Sequence, residues 1–192
     1  MTQATPVPDA APLLLNEWSA TLETRTGLKL NLRPANVDDE QRLIDFFDHV
    51  GSEDLRFRFL GGVRHVGHDL ARKLLGVDHT QTENFLVFDD ATGTLIGTAV
   101  IAAEPSFDSA EVAVAIRSDY KHRGVGYTLL GYASEYAAGR GIKRLETIEY
   151  RDNHDAIALE REMGFQVSEY PGDPTLLQLT KDLAPAVKSL ET

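Results

Sequence analysis

Residues 110–138 read AEVAVAIRSDYKHRGVGYTLLGYASEYAA: an apolar, strand-like run, a basic turn with two glycines spaced G-x-G, and a helical run. No other stretch constrains the fold as much. A strand that passes through a glycine turn directly into a helix belongs to a sheet with a helix packed on its face. In open sheets of this kind, ligands bind at the carboxyl ends of strands, where a following helix presents its N-terminus. Lys121, His122, Arg123, Gly124, Val125 and Gly126 then offer consecutive backbone N–H groups, and the two glycines let a ligand approach without Cβ clash. A pyrophosphate suits such a turn. The nucleoside-triphosphate loop is not matched, because its Lys-Ser/Thr pair is replaced by Tyr127-Thr128. A dinucleotide fingerprint would need a third glycine and a preceding βαβ unit. The plain alternative is a tight strand-to-helix turn with no ligand at all.

The rest of the chain supplies the sheet. LKLNLRPA alternates Leu28, Leu30 and Leu32 with polar residues and stops at Pro34, which predicts a strand. Asn36 is placed to cap a helix with Asp38, Asp39 and Glu40 in its first turn and Leu43, Ile44, Phe47 and Val50 on its buried face. Two short helices follow, in SEDLRFRFLGG and HDLARKLLG. NFLVFDD and TLIGTAVIAAE, joined by a turn, form a hairpin, and residues 110–117 add a strand. After the glycine turn come a helix over 124–138, a strand at IKRLETIEY, a helix at NHDAIALEREMG, and strands at FQVSEY and TLLQLT. This order predicts an α/β (α+β) fold: a mixed central sheet of six to seven strands with helices on both faces. Residues 1–26, rich in Pro, Ala and Thr, are expected to form a flexible arm with a docked segment near Trp18, residues 27–183 the domain, and 184–192 a tail.

Composition removes several classes of function. With no cysteine among 192 residues, disulfides, thiolate metal sites and cysteine nucleophiles are excluded, and a reducing, cytoplasmic location is expected. The longest N-terminal apolar run, three leucines, is too short for a signal segment or a membrane span. A net charge of -11 argues against a nucleic-acid partner and is compatible with a cationic substrate, though an acidic surface also serves solubility. His65 and His68 are spaced H-x-x-H without an evident acidic third ligand, so no metal is expected. Arg56 and Arg58, with Asp54, are expected on a solvated helix face, with a substrate contact through their loop as the alternative, and Tyr127, Tyr132 and Tyr136 as packing residues. No G-x-S-x-G or other nucleophile motif occurs, so no covalent enzyme intermediate is expected.

The stretch from Ala110 through the glycine turn resembles the central motif of the GNAT superfamily of N-acetyltransferases, whose Q/R-x-x-G-x-G/A turn holds the pyrophosphate of acetyl-CoA; here it reads K-H-R-G-V-G, with Lys121 where Gln or Arg is usual. NHDAIALEREMGF resembles the second signature of that family, and the likeness runs from residue 28 to about 181. Upstream, LRPANVDDEQRLIDFFDHVGSEDLRFRFLGG resembles the acetyltransferase domain of bacterial Pat-type protein lysine acetyltransferases, often fused to a regulatory domain for which this sequence has no room. The resemblance implies acetyl-CoA as cosubstrate and a protein lysine as acceptor, with an acyl-CoA synthetase as the typical target. A small amine acceptor such as a polyamine or aminoglycoside, or a non-catalytic acyl-CoA-binding module, are the rival readings.

Acetyl transfer needs a neutral amine, and at a pKa near 10.4 only about one lysine in 2,500 is neutral at pH 7, so a base is required. Glu111 is the candidate: it stands in the otherwise apolar A-E-V-A-V-A-I, where burial would raise its pKa, and it matches the general-base glutamate of protein-acetylating relatives. Alternation could instead leave it on a solvated face at the start of the strand. The resemblance also implies thioester polarisation by backbone N–H groups near Ala115, Ile116 and Arg117, and an Asn153 contact to the pantetheine arm, beside its plainer role as a helix cap. Where many relatives carry a tyrosine that protonates the thiolate, this chain has Glu160, so that acid is expected to be absent or supplied elsewhere.

Overall fold

The computed structural model describes residues 18–184. Eight strands form one sheet in the order β1-β2-β3-β4-β5-β6-β8-β7. They span Ala20–Glu23 (β1), Lys29–Pro34 (β2), Thr82–Asp89 (β3), Leu95–Ala103 (β4), Ser109–Ile116 (β5), Arg144–Tyr150 (β6), Gln166–Glu169 (β7) and Leu176–Asp182 (β8). Helices α1 (Glu40–Phe47), α2 (Ser52–Arg58) and α3 (His68–Leu75) precede β3, α4 (Val125–Gly139) follows β5, and α5 (His154–Glu162) follows β6. The mixed α/β architecture is the one predicted, with one strand more.

That strand is β1, which lies inside the stretch whose composition predicted a flexible arm. It pairs antiparallel with β2, Ala20 opposite Leu32 and Leu22 opposite Leu30. Four residues with a single large apolar side chain carry almost no strand signal, so its extended state is supplied by the partner. Trp18 packs edge-on against Tyr136, 4.8 Å between ring centroids, and its carbonyl accepts the Tyr132 hydroxyl at 2.6 Å. Residues 1–17 of the expected arm, and 185–192 of the expected tail, lie outside the described residues.

The sheet separates two apolar layers. Leu30, Leu32, Phe85 and Ile101 on one side meet Leu129, Ala133, Tyr136 and Ile157 of α4 and α5. On the other, Leu86, Leu95 and Ala115 meet Leu43, Phe47, Leu55, Ala71 and Leu75 of α1–α3. Asn36 caps as predicted, accepting from the Asp38 N–H in a capping box closed by Asp39, and opens a 3-10 turn that leads into α1.

What positions the site is the one parallel pair. β5 and β6 are paired only at Ser109–Arg144, Ala110–Leu145 and Glu111–Glu146. Beyond Glu111, β5 continues on β4 alone, and beyond Glu146, β6 continues on β8 alone. The two strands part, and the sheet opens from Glu111 toward the glycine turn.

Candidate active site

The opening between β5 and β6 is the floor of a cavity of about 450 Å³, lined by the end of α2, residues 111–116, the glycine turn, residues 147–149 and the inner face of α5. At one end lies the N-terminus of α4. Gly124 adopts the left-handed conformation (φ 80°, ψ 0°) that turns the chain into the helix, and the first turn of α4 carries no acidic residue. By helix geometry the N–H groups of Val125, Gly126 and Tyr127 have no acceptor within α4, and with the positive helix end they make an anion site. A Cβ on Gly126 would stand 3.0 Å from Ile116 Cδ1, so glycine keeps the turn close to β5.

The β1–β2 connection braces this turn from outside the cavity. The Thr26 hydroxyl donates to the Arg123 carbonyl at 2.8 Å. Arg25 lies 3.4 Å over the ring of Tyr127 and pairs with Glu162 of α5 at 2.6 Å. Within the site, Lys121 reaches Asp54 of α2 at 2.8 Å, so its ammonium ties the turn to the opposite wall.

Carboxylates crowd the other end. Glu111 lines the cavity where β5 and β6 separate, but its side chain is exposed rather than buried. The burial that the apolar strand suggested belongs instead to Glu160, noted in the sequence only for standing at a tyrosine position, and in part to Glu149, which was not foreseen. Glu149 accepts from Asn153 Nδ2 at 2.6 Å, and Glu160, only 5 % exposed, accepts from Thr147 Oγ1 at 3.0 Å. Desolvation raises the pKa of both; the Asn153 hydrogen bond and the charge of Arg58 counter the rise at Glu149, while the charge of Glu149 adds to it at Glu160. Burial thus keeps a proton on this pair above the ordinary carboxylate range.

Arg58 is the second residue misplaced by sequence reasoning. Expected on a solvated helix face, it is half-buried and lines the cavity, with Nε fully buried. Burial lowers its pKa to about 10, against the opposing pull of Glu111 and Glu149. Its neighbour Arg56 does behave as a surface residue, pairing with Asp152 at 2.8 Å.

Of the predicted binding residues, Ala115, Ile116, Lys121, His122, Gly124, Val125, Gly126 and Asn153 line the cavity. Arg117 and Arg123 do not. The Arg117 side chain is held by Asp119 at 2.7 Å and its N–H by the Ile96 carbonyl at 2.9 Å, so it cannot polarise a thioester. Arg123 lies over the Tyr120 ring, 4.7 Å from its centroid. Asn153 does not cap α5, because its side chain is spent on Glu149. His65 and His68 face Asp48 and Glu40 separately, and among the described residues no group of three possible ligands could hold a metal.

The profile of the Acetyltransferase (GNAT) family matches residues 53–165, more than half of the chain and the whole of this cavity. The protein belongs to the GNAT acetyltransferase family. It is 25% identical over 162 residues to the acetyltransferase PA5475 of Pseudomonas aeruginosa, covering 83% of this chain and 86% of that protein. It is 30% identical over 133 residues to the acetyltransferase Pat of Mycolicibacterium smegmatis, 69% of this chain but only 40% of the length of that larger protein. The fold superposes on the crystal structure of the GNAT domain of S. lividans PAT with a TM-score of 0.80 at 24% identity, covering 87% of this chain and 98% of that one. GNAT acetyltransferases transfer the acetyl group of acetyl-CoA, and the anion site at the N-terminus of α4 fits the pyrophosphate of such a donor. Among the described residues, no helix is long and apolar enough to cross a membrane.

Proposed function

We propose that this acetyltransferase acts on the ε-amino group of a protein lysine, with Glu111 as the base. The observation that carries the reading is the placement of Glu111 at the point where β5 and β6 part, on the wall of the cavity that also contains the N-terminal turn of α4. Donor and acceptor chemistry then share one space. Away from the glycine turn the lining carries Glu111 and Glu149, which favours an approaching ammonium. The resemblance to Pat-type protein lysine acetyltransferases, joined by the 30% identity to the acetyltransferase Pat of Mycolicibacterium smegmatis, supports a protein acceptor, and an acyl-CoA synthetase is the target class to try first.

In this reading the turn at Gly124–Gly126 holds the pyrophosphate through backbone N–H groups, with Lys121 beside it. Glu111 takes a proton from the lysine ammonium, directly or through one water. The neutral amine attacks the thioester carbonyl; the C–N bond forms, the C–S bond breaks, and the amide nitrogen releases its second proton to solvent. The thiolate takes a proton from Glu160, which burial keeps protonated after ordinary carboxylates have ionised. Glu160 stands where many relatives carry a tyrosine, and a protonated carboxyl can do that tyrosine's work.

The test is transfer of labelled acetyl from acetyl-CoA to an acyl-CoA synthetase, to lysine peptides and to polyamines, with the wild-type enzyme and Glu111→Gln. Labelling of the synthetase or the peptides that falls about 10²–10⁴-fold in the variant, with acetyl-CoA affinity unchanged, is the expected result. Labelling of polyamines alone would replace the protein acceptor by a small cation. Equal rates for the two proteins would remove Glu111 from the role of base.

A further inference from the structure

Arg58 carries an unpaired buried donor inside the cavity. Among the described residues, its Nε is the buried side-chain nitrogen or oxygen left without a hydrogen-bond partner, and its guanidinium makes neither hydrogen bond nor ion pair. Its guanidinium lies over the Phe59 ring, 5.0 Å from the centroid. Other arginines that are drawn inward or lie beside the site find partners: Arg33 grips Asp39 with two bonds of 2.7 Å, and Arg56 holds Asp152 at 2.8 Å. Glu111 and Glu149 lie close enough for Arg58 to feel their charge, yet neither bonds to it, and Glu149 is occupied by Asn153. An Nε–H withdrawn from water without an acceptor is costly unless a ligand completes the fork. The partner that fits a planar fork best is a carboxylate, bound through two parallel N–H···O bonds.

We propose that Arg58 anchors a carboxylate carried by one of the two substrates, so that this enzyme selects either an acyl donor with a terminal carboxylate or an amine acceptor with a carboxylate near the reacting nitrogen. The inference rests on acyl transfer at this cavity and holds for any acceptor. It differs from the acetyl reaction in one respect only, the group that lies beside Arg58. The bond changes are the same, C–N formed and C–S broken, and the carboxylate takes no part in them.

Two pairs of isosteres separate the sources. In the donor arm, binding of succinyl-CoA is compared by calorimetry with butyryl-CoA, which has the same chain length without the charge, with acetyl-CoA as reference. In the acceptor arm, acetylation of lysine peptides with Glu beside the lysine is compared with the same peptides carrying Gln. Both arms use wild type, Arg58→Met and Arg58→Lys, with thermal melts to show that each variant is folded. The expected result is a preference of about 10-fold or more for the carboxylate in one arm, abolished in Arg58→Met and partly kept in Arg58→Lys. Equal handling of both members of both pairs by the wild-type enzyme, with acetyl-CoA binding normally, would overturn the inference; that comparison needs no variant. Failure to bind acetyl-CoA would remove the acyl-transfer reading and this inference together.

Discussion

The two glycines of the turn make different demands, and replacing each by alanine separates folding from binding. Gly124 has φ +80°, and a Cβ there would lie 3.1 Å from Thr24 Cβ and 3.5 Å from the Arg25 nitrogen, both part of the β1–β2 connection. The left-handed conformation costs about 1–2 kcal/mol for a residue with a Cβ. Overpacking against a neighbour that is partly backbone adds about 1–3 kcal/mol. Gly124→Ala should therefore lose about 2–5 kcal/mol. At roughly 2–4 °C per kcal/mol for a chain of this size, its melting midpoint falls by about 4–20 °C. Gly126 has no such conformational demand: its Cβ would meet only Ile116 Cδ1 at 3.0 Å and Leu159 Cδ1 at 3.6 Å, methyl groups at the ends of side chains. Gly126→Ala should keep its stability within about 1 kcal/mol, since the helix gains up to about that much from alanine. Its added methyl enters the cavity, so acetyl-CoA affinity should fall while the fold stands. Urea unfolding and calorimetry of acetyl-CoA binding on the three proteins decide the matter. Wild-type stability in Gly124→Ala would refute the packing argument, and wild-type acetyl-CoA affinity in Gly126→Ala would show that the turn is not where the donor binds.

Two further perturbations test the surroundings. Removing the brace by Arg25→Ala with Thr26→Val should raise KM for acetyl-CoA several-fold and leave kcat unchanged, because the interactions lost are exposed and touch only the outer side of the turn; a changed kcat with constant KM would contradict it. Glu160→Gln tests the buried proton. The folded-state pKa of Glu160 is raised, so the folded protein holds more protons than the unfolded chain above the ordinary carboxylate range, and the carboxyl's contribution is present at low pH and lost as pH rises. Urea midpoints between pH 5 and 8 should therefore fall less steeply with pH in Glu160→Gln than in wild type; parallel curves would place the proton elsewhere.

Much of the fold was legible because it is written in local patterns. The glycine turn, the β3–β4 hairpin and the Asn36 cap each rest on a few adjacent residues, and each appears where the sequence places it. β1 was not legible, since Ala20–Glu23 is extended by its pairing with β2 and little else. The buried carboxylates are an intermediate case. Alternation along β6 puts Glu149 on the face of Leu145 and Thr147, both buried, and helical spacing puts Glu160 one turn from buried Ile157. Likewise Arg58 follows Leu55 by three residues, on the inward side of α2. The direction of each side chain could have been read. What they converge on could not, because the separation of β5 from β6 after three paired residues is set by packing of distant segments.

The two ends of the cavity are therefore built from different materials, and this shapes how substitutions act. The donor end consists of backbone: N–H groups, a helix terminus and two glycines, contiguous in sequence. In the reading proposed above it depends little on side chains, so Lys121 can stand where the family pattern has Gln or Arg. The acceptor end consists of side chains from α2, β5, β6 and α5, namely Arg58, Glu111, Glu149 and Glu160, which share one electrostatic balance. Neutralising Arg58 removes the positive charge that pulls the Glu149 pKa down, so that carboxyl holds its proton to higher pH. The pH profile of transfer in Arg58→Met should accordingly shift to higher pH, a displacement that a variant damaging only the donor end would not produce.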